Sequence, residues 1–164
     1  MEYIMNYSSP LGHITLSSDG EALTGLWFDT QRDPADFVSA DYEENELPIF
    51  DDARRWLDDY FAGRDPGKSP ALRCSGTDFR MRVWEILLTI PYGATMTYGE
   101  IASMIAEERG IGRMSAQAVG GAVGSNPISI IVPCHRVIGS DGSLTGYGGG
   151  LDLKRKLLEI EGIL

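Results

Sequence analysis

Three short strand-like segments, which contain β-branched and aromatic residues, lie at the start of the chain, and turn residues bound each segment. The segments 2–7, 13–18 and 22–28 are separated by Ser-Ser-Pro-Leu-Gly and then by Asp-Gly. Such segments between turn signals are typical of strands joined by tight connections. The pattern therefore predicts an antiparallel meander of three strands.

The pattern changes to a helical period after an acidic stretch. Residues 32–46 are polar and predict a loop or short helix with a solvated face. Apolar residues then recur at helical spacing and predict a helix that ends near Gly63; they are Ile49, Phe50, Ala53, Trp56, Leu57, Tyr60 and Phe61. Residues 63–76 are rich in Pro, Gly and Ser and predict an interdomain linker. We therefore predict two domains, 1–73 and 74–164.

The sequence pattern of the second domain predicts mainly helices. Residues 79–90 carry one apolar face, and Thr97 with Glu100 fits the capping-box pattern that opens a helix. Ile101, Met104 and Ile105 are predicted to point inward from that helix. A short turn leads to residues 114–126, so the pair is a candidate helix-turn-helix.

The second helix of this pair is rich in small residues. It contains Gly120, Gly121 and Gly124, and each interior glycine costs roughly 0.5–1 kcal/mol relative to alanine. Close helix packing would explain one such glycine. Three suggest that another backbone approaches this helix on at least one face.

Composition and charge narrow the class of protein. The chain has 164 residues, 43% of them apolar, and a net charge of −10. Residues 1–73 carry a net charge of −9 and residues 74–164 only −1, so the second domain meets a polyanion without a strongly repulsive field. We see no membrane-spanning run or secretory signal. Two distant cysteines indicate neither a disulfide framework nor structural zinc, and a cytoplasmic location fits them best.

A cluster of candidate reactive residues follows an unbroken apolar run, Ile128–Val132. This run predicts a buried strand that ends at Pro133 and delivers Cys134, His135 and Arg136 to its exit. A lone cysteine is usually a small buried hydrophobe. Here the adjacent histidine and arginine supply a base and positive charge, which convert a thiol into a thiolate. Neighbouring strand residues point to opposite faces, so His135 reaches the sulfur only if the chain turns, or through a water.

The segment after this cluster suggests a pocket and an acid. Residues 139–150 contain six glycines and Tyr147; they are either a flexible linker or a loop that closes one wall of a pocket. The final helix, predicted from residue 151, places Glu159 and Glu161 in its last turn, where a carboxylate is unfavourable. Glu159 is expected to be an ordinary surface residue. For Glu161 the alternative is a hydrogen bond from His135 that fixes its tautomer.

These stretches together resemble the O6-alkylguanine-DNA alkyltransferases, also called methylated-DNA–protein-cysteine methyltransferases. The matching residues are "GTDFRMRVWEILLTIPYGATMTYGEIA", "NPISIIVPCHRVIG", "GSLTGYGGG" and "KRKLLEIEG", which span the second domain in the family's order. The first domain matches more loosely. The resemblance implies a two-domain α/β protein, with an N-terminal ribonuclease-H-like domain and a mostly α C-terminal domain containing a helix-turn-helix.

The resemblance also implies a DNA repair reaction and its residues. Cys134 accepts the alkyl group of a flipped-out O6-alkylguanine, His135 acts through a water as its base, and Glu161 holds His135. Tyr98 assists flipping and protonates the leaving guanine. The implied pocket residues are Val137, Tyr147, Gly148 and Asn126, and the implied DNA-contacting residues are Gln117, Ala116, Gly120, Gly121 and Arg113. The resemblance implies that this chain acts as a monomer on double-stranded DNA through the minor groove, and we expect no cofactor, metal or membrane partner.

One position departs from the family and keeps alternatives open. Many members have an arginine on the recognition helix where this chain has Gln117, which fills space and forms hydrogen bonds but carries no charge. Three hypotheses remain: a single-turnover DNA alkyltransferase, a module that binds lesions without chemistry, and a cysteine hydrolase. The hydrolase ranks last, because it has no use for the helix-turn-helix or the small-residue helix.

Overall fold

A computed structural model describes residues 2–31, 42–147 and 150–164, which belong to two compact units. The first unit is Met1–Ser75 with Pro127–Ile131, and the second is Gly76–Asn126 with Val132–Leu164. The domain boundary at residues 73 and 74 stays a prediction. The contacts add that the short segment 127–131 groups with the first unit.

The first unit contains a four-stranded sheet in the order β3-β2-β1-β4. Its strands are β1 (Glu2–Ser9), β2 (Gly12–Ser18), β3 (Leu23–Phe28) and β4 (Tyr42–Glu44). The first three pair antiparallel, which confirms the predicted meander. β4 pairs parallel to β1, so the prediction of only a loop or helix over residues 32–46 is wrong at its end. The rest of that stretch, up to residue 41, lies outside the described residues.

One helix, α1 (Pro48–Phe61), completes the regular structure described in the first unit. Proline at its start is favoured, because the first helical N–H has no intrahelical acceptor. The helix packs against β1, and the predicted stripe is buried except for the partly exposed Phe61.

The second unit is mostly helical. In chain order it contains α2 (Asp78–Leu87), β5 (Met96–Thr97), α3 (Tyr98–Arg109), α4 (Ala116–Gly124), a 3₁₀ turn (Cys134–Arg136), β6 (Val137–Ile138) and α5 (Leu151–Ile160). β5 and β6 pair in parallel, with Thr97 opposite Ile138. This short pairing brings the start of α3 beside the segment that follows Cys134. The combination of a sheet-containing first unit and a helical second unit agrees with the predicted α/β class.

The capping box fixes where α3 begins. The Glu100 N–H donates to Thr97 Oγ1 at 3.0 Å, and the Thr97 N–H donates to Glu100 Oε1 at 3.3 Å. Gly110 ends the helix with a φ of 64°, a conformation that glycine adopts without a steric penalty. Tyr98, the first residue of α3, therefore has a defined position.

The inward position predicted for Met104 is wrong, because this side chain is 36% exposed. The buried face of α3 consists of Ile101, Ala102, Ile105 and Ala106. Side chains on a helix are 100° apart, and residue 104 projects away from the stripe formed by i, i+1, i+4 and i+5.

The predicted strand Ile128–Val132 is also wrong. Ile128 forms one isolated parallel bridge with Leu26, flanked by hydrogen bonds from Leu26 N–H to the Pro127 carbonyl and from Ser129 N–H to the Leu26 carbonyl. The chain then turns, and Ile130 takes a φ of 69°, which is rare for a β-branched residue. The run is apolar because it is buried, and its burial does not require a continuous ladder.

We expect Thr97→Ala to lower the free energy of unfolding by about 1 kcal/mol, because it removes the side-chain oxygen that caps α3. Urea denaturation measures this change. Ser103→Ala, at an exposed position within the same helix, is the matched control and should change stability by less than about 0.5 kcal/mol. Equal stability of the two variants would contradict the capping role.

Candidate active site

Cys134, His135 and Arg136 form one 3₁₀ turn, and all three side chains are buried. The Arg136 N–H donates to the Pro133 carbonyl at 3.0 Å, and the Cys134 N–H donates to the Val132 carbonyl at 2.8 Å. Consecutive side chains on a 3₁₀ helix are about 120° apart, compared with about 180° on a strand. The expected strand exit is therefore replaced by a turn, which removes the opposed orientation of Cys134 and His135.

The turn is held by a buried carboxylate. Glu161 lies at the end of α5, and its side chain is completely buried. Its Oε2 lies 2.5 Å from His135 Nε2, and its Oε1 accepts from Arg136 Nε at 2.7 Å and from the Gly93 N–H at 3.0 Å. Arg136 also donates to the Ile90 carbonyl at 2.8 Å. The contact expected between His135 and Glu161 is thus part of a larger network.

This network determines the proton on His135. Burial would raise the pKa of Glu161, but hydrogen bonds from His135 and Gly93 and the charge of Arg136 lower it to about 2. An ionised carboxylate only accepts hydrogen bonds, so His135 Nε2 carries the hydrogen and Nδ1 is the basic nitrogen. Burial lowers the pKa of His135 despite the opposing effect of Glu161, so the ring is neutral at rest.

The thiol of Cys134 is protonated at rest. It is 6% exposed, and burial raises its pKa, whereas hydrogen bonds from Asn126 and Tyr147 and the charge of Lys154 lower it. Asn126 also donates from Nδ2 to the Val132 carbonyl at 2.8 Å. Asn126 therefore connects the end of α4 to the residues that precede the turn.

Lys154 is a site residue that the sequence interpretation missed. It is 0% exposed, and its Nζ donates to the Val137 carbonyl at 2.5 Å and to the Thr145 carbonyl at 2.9 Å. Burial lowers its pKa to about 8, although the charge of Cys134 acts in the opposite direction. The positive charge that the sequence assigned to Arg136 is engaged by Glu161, whereas Lys154 acts on the thiol.

A signal for Lys154 was available in the sequence. The buried face of α5 is Leu153, Lys154, Leu157 and Leu158, which is a helical stripe two residues wide. The lysine lies inside this stripe. Its position within the basic run Lys154–Lys156 suggests a solvated face instead, and that suggestion is correct only for the exposed Arg155 and Lys156.

A cavity of about 620 Å³ opens between α3, α4 and the loop after β6. Its lining residues are Tyr98, Gly99, Ala116, Gln117, Gly120, Gly124, Gly139, Ser140, Thr145, Gly146 and Tyr147. Tyr98 Oη donates to the carbonyls of Thr145 at 3.0 Å and Gly146 at 3.3 Å. Burial and the charge of Cys134 raise the pKa of Tyr98, so its hydroxyl keeps its proton.

Four of the nine sequence-predicted pocket and DNA-contacting residues line this cavity, namely Tyr147, Ala116, Gln117 and Gly120. Gly121 is exposed on α4 with open space beside its Cα. Arg113 is exposed and lines a second cleft of about 440 Å³ near the turn between α3 and α4. The Val137 carbonyl is occupied by Lys154, and Gly148 lies outside the described residues.

Among residues 2–31, 42–147 and 150–164, no cluster of three or more His, Cys, Asp or Glu residues has the proximity to hold a metal ion. Within the same described ranges, no helix combines the length and apolar character that crossing a bilayer requires.

Known proteins match both parts of the chain. Residues 3–67 match the family model of the 6-O-methylguanine DNA methyltransferase ribonuclease-like domain, and residues 78–163 match that of the same family's DNA-binding domain. The chain belongs to the 6-O-methylguanine DNA methyltransferase family. The two-domain architecture implied by the sequence resemblance is thereby confirmed.

Family members from distant organisms align over nearly the whole chain. Methylated-DNA–protein-cysteine methyltransferases from Mycobacterium tuberculosis and Haemophilus influenzae are 46% and 41% identical to it, over 98% of this chain and 93% and 87% of theirs. The crystal structure of Mycobacterium tuberculosis OGT in complex with DNA has a TM-score of 0.84 at 46% identity, and covers 97% of this chain and 92% of that one.

We expect Glu161→Gln to lower the free energy of unfolding at neutral pH by roughly 3–5 kcal/mol, because the buried Arg136 loses its counter-charge. In the wild type, Glu161 contributes stability above its unfolded pKa near 4.5, and this contribution is lost as the pH falls towards about 2. The variant should lack that part of the acid dependence, measured by urea denaturation across this range.

The matched control for this prediction is Glu159→Gln, which changes an exposed glutamate on the same helix. It should alter stability by less than about 0.5 kcal/mol. A Glu161→Gln protein as stable as this control would show that the buried ion pair has no net stabilising role.

Proposed function

We propose that this protein repairs O6-alkylguanine in DNA by moving the alkyl group onto its own Cys134, once per molecule. The observation that carries the proposal is the buried Cys134–His135–Glu161 arrangement, joined through Tyr147 to a cavity of about 620 Å³. The cavity opens beside α4, the second helix of the helix-turn-helix candidate. A nucleophile with a base and an acid at a helix-lined pocket suits a base that has left the duplex.

The transfer begins with the thiol proton. His135 Nδ1 takes this proton through a water, while Nε2 keeps its hydrogen bond to Glu161, which stabilises the imidazolium that forms. The thiolate then attacks the alkyl carbon, a new S–C bond forms, and the electron pair of the breaking C–O bond moves into the guanine. Tyr98 Oη, which keeps its proton in this site, donates to the departing base. The thioether product has no leaving group that the site can expel, so the reaction is irreversible.

The DNA-binding face is proposed to be α4. Beside Gln117, the residues Ala116, Gly120 and Gly121 present little side-chain bulk on this helix, and a Cβ added at Gly121 would meet no atom within 4 Å. Such a surface admits close approach to a nucleic-acid backbone in the minor groove, which carries limited sequence information. The proposal includes a monomer as the acting form and the cytoplasm as its location.

The substrate test uses duplex DNA with a labelled alkyl group on O6-methylguanine. We expect one label per protein molecule, located on Cys134 by peptide mass analysis, and no transfer in Cys134→Ser. Cys74→Ser should behave as the wild type, because Cys74 lies outside the site. Tight binding of the modified DNA without transfer at protein excess would instead support a lesion-binding module, and repeated turnover of an ester would support a hydrolase.

Gln117 provides a second prediction. We expect Gln117→Arg to bind duplex DNA more tightly and to steepen the slope of log K against log salt by about 0.9, because one more phosphate is neutralised. The control is Glu21→Gln, which makes the same change in net charge at an exposed position of the first unit. A similar effect of both variants would show that net charge, rather than the position on α4, controls affinity.

A further inference from the structure

The helix α4 has little side-chain bulk to fix its position in the second unit. Three of its nine residues are glycine, and its buried side chains are the small Val119, Ala122 and Val123. The hydrophobic effect is not directional, so burial of such a small face limits the rotation and depth of the helix only loosely. A defined position of the proposed DNA-binding face therefore needs a directional contact from outside α4.

Trp84 on α2 provides such a contact. Its side chain is 3% exposed, and its Nε1 donates at 2.9 Å to the carbonyl of Ala122, near the end of α4. The same carbonyl accepts from Ser125 Oγ at 2.9 Å and from the Ser125 N–H at 3.3 Å, which are local contacts of the helix end. The carbonyl is therefore satisfied without Trp84, and the hydrogen bond from the indole adds a connection between two helices.

We propose that Trp84 is a positioning residue for the DNA reaction. Its hydrogen bond fixes α4, and thereby the point at which a duplex delivers the flipped base to the cavity. The inference rests on the proposed function, because a duplex substrate is what depends on α4. Trp84 lies outside the described lining of the cavity, so it acts through α4 and is not a catalytic residue.

The indole of Trp84 is itself held in place at its other end. Gly76 precedes Thr77, the N-cap of α2, and its backbone lies against the six-membered ring. A Cβ added at Gly76 would meet Trp84 Cη2 at 2.7 Å and Cζ3 at 3.0 Å, which is closer than van der Waals contact between carbon atoms. An alanine at this position therefore has to displace the ring. The Gly76 backbone and the Ala122 carbonyl together define where the indole lies.

The position of α4 matters differently for two kinds of substrate. Ala116, Gln117, Gly120 and Gly124 form the wall that α4 contributes to the cavity. A flipped nucleotide stays attached to the duplex, so a shift of α4 displaces its base relative to Cys134, and a displacement of about 1 Å is enough to slow a reaction strongly. A free base has no such attachment and adjusts its position within the cavity. A positioning role therefore affects the duplex reaction much more than the free-base reaction.

A purely structural role predicts a different result, because a loss of folded protein lowers both reactions by the same factor. Trp84→Phe keeps an aromatic ring and removes the N–H donor. The matched control is Trp56→Phe in the first unit. Trp56 is 7% exposed, and its Nε1 has no acceptor among the described residues. The control therefore removes the same volume from a buried position without removing a hydrogen bond.

The experiment measures the rate constant of label transfer to Cys134 from O6-benzylguanine, supplied as the free base and within a duplex. We expect Trp84→Phe to lower the duplex rate constant by roughly 3- to 10-fold, the effect of one lost hydrogen bond, and to leave the free-base rate constant within about twofold of the wild type. Trp56→Phe should leave the ratio of the two rate constants unchanged. Gly76→Ala displaces the indole without removing its N–H, and should lower the same ratio.

Two outcomes would overturn the inference. One is a Trp84→Phe protein, folded by circular dichroism, with the wild-type ratio of rate constants. The other is an equal fall of the ratio in Trp56→Phe, which would assign the effect to lost volume. If Trp84→Phe does not fold, Gly76→Ala decides, and an unchanged ratio in that variant rejects the role of Trp84. Failure of the proposed function is distinguishable, since the wild type would then transfer no label from the duplex.

Discussion

The structure of the site depends on one buried carboxylate. Glu161 accepts hydrogen bonds from the side chains of His135 and Arg136 and from the backbone of Gly93, which come from two separate parts of the second unit. An ionised carboxylate in the interior is tolerated only when its oxygens are satisfied. The end of α5, the turn after α2 and the 3₁₀ turn must therefore be in place together. The same requirement fixes the tautomer of His135, so folding and chemistry share one constraint.

A second constraint acts on the chain before the nucleophile. Ile130 adopts a left-handed backbone conformation, which costs an L-residue roughly 1–2 kcal/mol. Burial of the apolar run offsets this, at about 1.5–3 kcal/mol for each fully buried aliphatic side chain. The turn permits the Val132 carbonyl to accept from both the Cys134 N–H and Asn126 Nδ2. These two hydrogen bonds connect the backbone that precedes the sulfur to the end of α4.

Elements that depend on residues close together in the sequence are predicted correctly. Elements that depend on contacts with distant residues are not. The capping box of Thr97 and Glu100 and the turns that bound β1, β2 and β3 are local signals, and these elements form as predicted. Ile128–Val132 reads as a strand, but a strand needs a continuous partner, and the described chain offers only Leu26. The stripe of α5 indicates that Lys154 is buried, but its acceptors are carbonyls of β6 and the pocket loop, which no pattern within α5 identifies. The reactive residues of the site could be predicted because Cys134 and His135 are adjacent in the sequence.

The proposed reaction changes where charge lies in the interior without changing its amount. At rest, the thiol and imidazole are neutral, Arg136 and Glu161 cancel, and Lys154 carries one positive charge. Moving the thiol proton to His135 creates an anion near Lys154 and a cation at Glu161, so each new charge forms beside an opposite charge already in place. Such preorganised groups need no rearrangement during the reaction. After transfer, the thioether carries no charge. The proton held by His135 therefore has no thiolate to return to. The arrangement that favours the forward step gives the protein no route back.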